Sequence, residues 1–124
     1  MLKLANAFSL NMLNTEVETH VLLTKRISKE EAKELLKEGF ENYIGHKDIA
    51  NVVSNELGLP VEMNEKRPNL LLNPEDVVVI AQYIGPRLPE GATELPPNAR
   101  IEHFTVQIID WSINDNVILG SQVE

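Results

Sequence analysis

The sequence contains no cysteine. Composition therefore excludes a disulfide framework, a thiolate metal site and a cysteine nucleophile. No apolar run approaches the roughly 18 residues that a membrane-spanning helix needs. The opening segment MLKLANAFSLNML is interrupted by polar residues and has no small-residue cleavage pattern, so it does not predict a signal peptide. We expect a soluble cytoplasmic protein that has no membrane partner.

Positive charge is also scarce, because 11 Lys and Arg residues stand against 19 Asp and Glu residues, for a formal net charge of −8. Proteins that bind long nucleic acids usually present a basic face, since phosphate contacts supply most of their affinity. The charge balance therefore argues against a long nucleic acid as partner. A short phosphorylated ligand remains compatible, because a few arginines and a helix N-terminus can hold it.

The residues that are present are typical of one globular domain. The chain has 124 residues, 43% of them apolar, which is enough to bury a core. No internal repeat or linker divides it. We predict a single compact α/β domain over residues 1–111, with a mixed β-sheet flanked by helices. Residues 112–124 form a weakly patterned tail, either a further strand or a partly mobile segment.

Several segments have the aliphatic or alternating pattern of β-strands. The main ones are Leu2–Phe8, Val17–Lys25, Val77–Tyr83 and Ile101–Trp111, and shorter candidates are Val61–Met63 and Leu70–Leu72. Val77–Tyr83 is aliphatic on both faces, which predicts a central position in the sheet.

Two segments have helical patterns. Ser28 and Glu31 have the spacing of a capping box at the start of a first helix, which Gly39 is expected to end. A second helix is predicted from His46 to Leu57 because its aliphatic residues recur at helical spacing, and a glycine follows it.

His46 is the first candidate for chemistry. A histidine at a helix N-terminus is usually a surface or packing residue, but it can also serve as a general acid or base. The positive end of the helix dipole disfavours the imidazolium, and a bound phosphate would offset that effect. His20 and His103 lie in strand patterns and are interpreted as structural, and no histidine spacing indicates a metal site.

The loop of residues 85–98, GPRLPEGATELPPN, contains the second candidate. Arg87 and Glu90 could form a solvated ion pair in a proline-stiffened loop. Alternatively, the prolines hold Arg87 for a phosphate and Glu90 for orientation. Arg67 is a third possible phosphate contact, although most lone loop arginines are simply exposed.

The stretch ANAFSLNML, residues 5–13, places three uncharged polar residues in an apolar run. Asn6, Ser9 and Asn11 could pair with their own backbone, as Asn and Ser often do at strand ends. They could equally be kept polar to contact a ligand.

Three motifs in order, ANAFSLNML, IGH at 44–46 and QYIGPRLPEGATELP at 82–96, resemble those of the viral type III anti-CRISPR ring nucleases and their bacterial relatives. The resemblance spans residues 3–110. It implies a compact α/β homodimer with the ligand cleft between its subunits, a fold suited to a symmetric cyclic ligand. It also implies a location in the cytoplasm of a bacterial or archaeal cell, with either a viral or a cellular gene.

The resemblance further implies the activity and the site. Members of this family degrade cyclic tetra-adenylate to linear di-adenylates with 2′,3′-cyclic phosphate ends, without a metal or other cofactor, and thereby switch off type III CRISPR signalling. His46 and Glu90 are similar to the catalytic residues. The ligand-binding residues would be Asn6, Ser9, Asn11, Arg67 and Arg87. The alternative is a non-catalytic module that sequesters or senses a cyclic oligonucleotide.

Overall fold

The computed structural model describes residues 1–109. These residues form a five-stranded mixed sheet and two α-helices. The strands are β1 (Leu2–Ala5), β2 (Leu22–Ile27), β3 (Glu41–Asn42), β4 (Val77–Ile84) and β5 (Arg100–Ile108). The helices are α1 (Lys29–Leu36) and α2 (Lys47–Leu57), and a turn of 3-10 helix spans Leu10–Met12.

The sheet has the strand order β2-β5-β4-β1-β3. Strands β3, β1 and β4 are parallel to one another, whereas β5 is antiparallel to both β4 and β2. The predicted central position of β4 is confirmed, since it lies between β1 and β5. Because β3, β1 and β4 are parallel, their carboxyl ends meet at one edge of the sheet.

Strand β4 is buried on both faces because its residues alternate between two cores. Val79 and Ala81 face a cluster that contains residues of both helices. Val78 and Ile80 face a second cluster, which is completed by Leu70 and other residues of the connecting segments 8–13 and 70–72. In residues 1–109 both helices therefore pack on the same face of the sheet. The predicted single α/β domain with a mixed sheet and packed helices is confirmed.

The predicted helix boundaries hold at three of four ends. The capping box is confirmed, because Ser28 Oγ accepts from the Glu31 amide at 3.0 Å and Glu31 Oε1 accepts from the Ser28 amide at 3.1 Å. His46 is the N-cap of α2, and Gly58 follows α2 with a left-handed φ of 66°. Helix α1 ends at Leu36, three residues before the glycine expected to end it.

In β1 and in β2, one strand boundary differs from the prediction by three residues or more. β1 ends at Ala5 because a turn and the 3-10 helix follow it. β2 begins at Leu22, well after Val17, because its length is set by pairing with β5 from Leu22 to Ile27. Alternation along one segment contains no information about such a distant partner. The predicted end of β5 at 110–111 and the tail at 112–124 lie outside the described residues.

The short candidate strands at 61–63 and 70–72 are wrong. Val61, Leu70 and Leu72 are apolar because they are buried in the two cores, not because they pair in a ladder. Conversely, the sequence gives no sign of β3, which is only two residues long and pairs with β1. Within residues 1–109, no helix is long and apolar enough to cross a membrane.

Candidate functional site

Two clefts lie at the edge of the sheet where the parallel strands end. The first, called the His46 cleft, follows β4 and has a volume of about 500 Å³. The second, called the Asn6 cleft, follows β1 and has a volume of about 550 Å³. Ligands of α/β proteins bind at such carboxyl ends. The fold therefore gathers most of the predicted site residues at one edge.

The His46 cleft contains all three residues that the sequence selected around its second and third motifs. It is lined by His46, Asp48, Ile49, Tyr83, Gly85, Arg87, Leu88 and Glu90. The N-cap and first turn of α2 supply the first three of these residues, and the end of β4 and the following loop supply the others. His46 and Arg87, 41 positions apart in the sequence, thus share one cavity.

His46 is oriented by its own helix. Its Nδ1 accepts a hydrogen bond from the Ile49 amide at 3.3 Å, as an N-cap side chain does. A nitrogen that accepts a hydrogen bond carries no proton, so the neutral ring in this geometry holds its proton on Nε2. The side chain is exposed. Its Nε2 is therefore the nitrogen available for proton transfer.

The loop that carries Arg87 and Glu90 is fastened to the start of α2. The Gly91 amide donates to Asp48 Oδ1 at 3.1 Å. Further along, Asn51 Nδ2 donates to the Ala92 carbonyl at 3.5 Å. These contacts fix the loop relative to the helix that begins at His46. Asp48 is a cleft residue that the sequence reasoning missed, and only its position in the first helical turn could have indicated it.

The same loop is held at its start by two contacts near β4. The Tyr83 hydroxyl donates to the Pro86 carbonyl at 2.5 Å. Gly85 has a φ of 157°, and a Cβ at this position would lie 2.6 Å from the Ala99 Cβ. Only glycine therefore fits at position 85, where the loop leaves β4 and packs against its own other end at Ala99.

The charged residues that line the His46 cleft are of both signs. Arg87 is positive, whereas Asp48 and Glu90 are negative. Arg87 and Glu90 are exposed, and no ion pair joins them among the described residues. The solvated ion pair considered from the sequence is absent there, so both side chains can turn towards a ligand.

The Asn6 cleft has a neutral polar lining. It contains Asn6, Ser9, Asn11, Tyr43 and Asn69, and none of the described residues that line it carries a formal charge. Such a lining suits uncharged hydrogen-bonding groups such as those of a nucleobase or a sugar. Tyr43 and Asn69 were not selected from the sequence, because neither belongs to a recognisable motif.

The three polar residues of the first motif are accounted for in two ways. Ser9 is the N-cap of the 3-10 helix, and its Oγ accepts from the Asn11 amide at 3.2 Å. Ser9 therefore has the backbone role that the sequence allowed. Asn6 and Asn11 line the cleft, where Asn11 is exposed and Asn6 half-buried.

A buried ion pair lies beside the Asn6 cleft. Lys3 Nζ donates to Asp76 Oδ2 at 2.7 Å and to the Leu71 carbonyl at 2.8 Å, and it lies 5.7 Å from the centre of the Tyr43 ring. Burial, followed by the hydrogen bond to Glu41, raises the pKa of the Tyr43 phenol, and Lys3 partly opposes this. Tyr43 is therefore a neutral hydrogen-bonding group at neutral pH.

Burial alone would raise the pKa of Asp76. The hydrogen bonds from Lys3 and from the Asn73 amide outweigh it, so the pKa of this carboxyl lies below its ordinary value. Asp76 is therefore ionised at neutral pH and ties the segment before β4 to β1.

Arg67 is not among the described residues that line either cleft. Its Nε donates to the carbonyl of Gly45 at 3.1 Å. Gly45 immediately precedes His46, so the contact of Arg67 is with the backbone beside the cleft.

The two clefts are close because the chain passes directly from one to the other. Tyr43 lines the Asn6 cleft, and His46 lines the His46 cleft three residues later. Consecutive Cα atoms are about 3.8 Å apart, so these two Cα atoms lie within about 11 Å of each other.

The other two histidines lie elsewhere. His103 is buried in β5, as predicted, and its Nε2 has no hydrogen-bond partner in the described residues. His20 lies just before β2 and not in a strand. Residues 1–109 contain no group of three His, Asp or Glu side chains placed to hold a metal ion.

Comparison with known proteins places this arrangement in a family. The chain is similar to a solved structure, B116 of Sulfolobus turreted icosahedral virus, with 25% identity and a TM-score of 0.70. The match covers 86% of this chain and 97% of the viral one. No curated protein sequence matches significantly. The model of the STIV B116-like family matches residues 2–106, nearly the whole of the described fold, and the chain therefore belongs to the STIV B116-like family.

Proposed function

We propose that this protein is a metal-independent ring nuclease that cleaves cyclic tetra-adenylate and so switches off type III CRISPR signalling. The observation that carries the proposal is the convergence of His46, Arg87 and Glu90 on one cleft, beside a second cleft with a neutral polar lining. In this proposal the His46 cleft takes the phosphate and the adjacent Asn6 cleft takes the nucleoside. The similarity to a viral protein of this family supports a role in virus–host interaction.

The reaction is an internal transesterification. The ribose 2′-hydroxyl attacks the adjacent phosphorus in line and loses its proton to solvent. A 2′,3′-cyclic phosphate forms as the bond to the 5′-oxygen breaks. Protonated His46 donates the Nε2 proton to that leaving oxygen, a role that contributes about 10²–10⁴-fold in rate.

The ligand itself favours the acidic form of His46. Protonation puts a proton on Nδ1, which then can no longer accept from the Ile49 amide. The N-terminus of α2 disfavours the cation as well. A phosphodiester in the cleft supplies negative charge that offsets both effects. The proposed acid role of His46 therefore depends on a phosphodiester beside it.

The other residues position the ligand. Arg87 has no ion-pair partner among the described residues, so its guanidinium can bind the phosphate and offset the charge that grows there. Glu90 holds Arg87 or a ribose hydroxyl. Asn6 and Asn11 contact the nucleoside so that its 2′-hydroxyl stays in line, which is chiefly a proximity effect.

A homodimer would give the site the symmetry of its ligand. Two copies related by a two-fold axis would present two His46 clefts to one ring. Cleavage of two opposite phosphodiesters then releases two linear di-adenylates. The competing hypothesis is a binding module that sequesters or senses the ring without cleaving it.

Single-turnover cleavage of labelled cyclic tetra-adenylate in EDTA distinguishes the two hypotheses. The matched variant is His46→Asn, because asparagine is a good N-cap and keeps an acceptor for the Ile49 amide while removing the acid. We expect the wild type to cleave the ring and His46→Asn to be about 10²–10⁴-fold slower, with an unchanged melting temperature. An intact ring with the wild type, or equal rates for the two proteins, would refute the proposed mechanism.

A further inference from the structure

We propose that Arg67 is a positioning residue for His46 and acts through the backbone of Gly45. The expected kinetic effect of this role rests on the proposed function. The expected effect on the orientation of His46 does not. The resemblance assigns Arg67 to the ligand, as one more positive charge for a phosphate. The contacts of its side chain give it a different task, which depends on a hydrogen-bond donor and not on charge.

The first support is the bond itself. Arg67 Nε donates to the Gly45 carbonyl at 3.1 Å, across 22 positions of the chain. That carbonyl belongs to the peptide unit that joins Gly45 to His46. Holding it restricts rotation of the peptide plane, and thereby the direction in which the His46 side chain leaves the backbone. Arg67 thus fixes the residue before the N-cap of α2.

The second support is the close approach of the two residues. A Cβ on Gly45 would lie 2.9 Å from Arg67 Cγ, 3.5 Å from its Cβ and 3.6 Å from its Cδ. Gly45 is not among the described residues with positive φ, so its backbone conformation does not require glycine. The absence of a side chain at 45 is explained instead by the arginine stem, which lies flat on the backbone there.

The third support is the fixed position of the Arg67 backbone. Arg67 is the described non-glycine residue with positive φ, at 45°, and its amide donates to the Asn64 carbonyl at 3.1 Å. Asn64 in turn donates its amide to the Ile44 carbonyl at 2.8 Å and its Nδ2 to the Asn42 carbonyl at 2.9 Å. A strained residue persists where its surroundings hold it in place. The turn at residues 64–67 therefore holds the segment that leads to His46 in place.

Two variants of Arg67 separate a donor role from a charge role. In Arg67→Gln, the side-chain Nε2 stands where arginine has Nε, so the bond to Gly45 is kept and the charge is lost. In Arg67→Lys, the charge is kept, but a carbon replaces Nε. A positioning residue therefore tolerates glutamine and not lysine, whereas a phosphate-binding residue tolerates lysine and not glutamine.

The kinetic experiment measures the single-turnover rate constant of cleavage, together with the Kd for cyclic tetra-adenylate. We expect this rate constant to fall about 10–100-fold in Arg67→Lys and to stay within about threefold of wild type in Arg67→Gln, because small misplacements near the reacting atoms cost this much. Gly45→Ala, which displaces the arginine stem, is expected to behave like Arg67→Lys. Equal effects of Arg67→Lys and Arg67→Gln on the cleavage rate constant, or a loss confined to Arg67→Gln, would overturn the proposal.

A second measurement does not depend on cleavage. The imidazole ¹⁵N chemical shifts of His46 report which ring nitrogen is protonated. We expect the ligand-free wild type and Arg67→Gln to show the Nε2-protonated tautomer, and Arg67→Lys to shift towards an average of the two tautomers. Identical shifts in all three proteins would refute the positioning role even if the protein cleaves no ring. A failed cleavage assay with the expected shifts would refute only the proposed function.

Discussion

The buried pair formed by Lys3 and Asp76 is expected to be a major contribution to stability. The side chain of Lys3 is 7% exposed and that of Asp76 is 2% exposed, with 2.7 Å between Nζ and Oδ2. Lys3→Met keeps most of the volume and removes the charge. Asp76 then remains buried as an anion, and within residues 1–109 it keeps only the Asn73 amide at 2.9 Å and the distant terminal amine of Met1 at 3.8 Å.

The expected loss in the free energy of unfolding follows from that uncompensated charge. Removing one partner of a buried ion pair typically costs about 3–5 kcal/mol. Because the Asn73 amide still stabilises the carboxylate, we expect the lower end, about 3 kcal/mol. For a domain of this size, such a loss lowers the melting temperature by roughly 10–15 °C. It is also a large fraction of the ~5–15 kcal/mol by which natural domains are stable.

The assay is urea denaturation at pH 7 followed by far-ultraviolet circular dichroism. The control is the double variant Lys3→Met/Asp76→Asn, in which the amide oxygen can still accept from the Asn73 amide but no charge is buried. We expect it to regain about 2 kcal/mol relative to Lys3→Met, since replacing both partners of a buried pair is often near neutral. A loss below about 1 kcal/mol in Lys3→Met, or no recovery in the double variant, would show that the argument is wrong.

The pH dependence has a definite sign. The pKa of folded Asp76 lies below its ordinary value of 3.8. The unfolded state therefore takes up the proton first as the pH falls. The stabilisation is complete above the unfolded pKa and is lost as the pH falls through the folded one. The acid limb of the stability profile should accordingly be flatter in the double variant than in the wild type.

Two further predictions concern the surroundings of the clefts. Gly85→Ala should cost about 1–3 kcal/mol in urea denaturation, because its Cβ would lie 2.6 Å from the Ala99 Cβ; a variant as stable as the wild type would contradict the tight approach. For His103, burial above all, with Lys29, lowers the pKa, although Glu56 and Glu30 oppose this. The unfolded state therefore binds a proton first below about pH 6.5, and stability should fall from pH 7 to 5 by more in the wild type than in His103→Leu; equal slopes would refute this.

Much of the fold was readable from local sequence. The Ser28 capping box, the N-cap His46 and the terminal Gly58 predicted helix ends because caps act through side chains within a few residues of the backbone they satisfy. The aliphatic run of β4 predicted a central strand because burial on both faces requires it. These features depend on short-range chemistry, and for that reason one sequence was enough to find them.

The candidate site residues were readable to a similar extent. His46, Arg87 and Glu90 were selected from two separate motifs, and the structure brings them to one cleft. Asp48 and Tyr43 were missed, because their importance comes from contacts with residues far away in the chain. No local pattern distinguishes them from ordinary helix-start and strand-end residues.

The sequence by itself determined the helix caps and the central strand, because each depends on neighbours along the chain, and it supplied the candidate site residues His46, Arg87 and Glu90. Only the tertiary structure decided where β2 begins, that both helices pack on one face within residues 1–109, and that the polar residues divide between two clefts. It also decided what Arg67 contacts, since its Nε donates to the backbone carbonyl of Gly45. These outcomes depend on pairing and packing between distant segments, and such contacts exist only once the chain has folded.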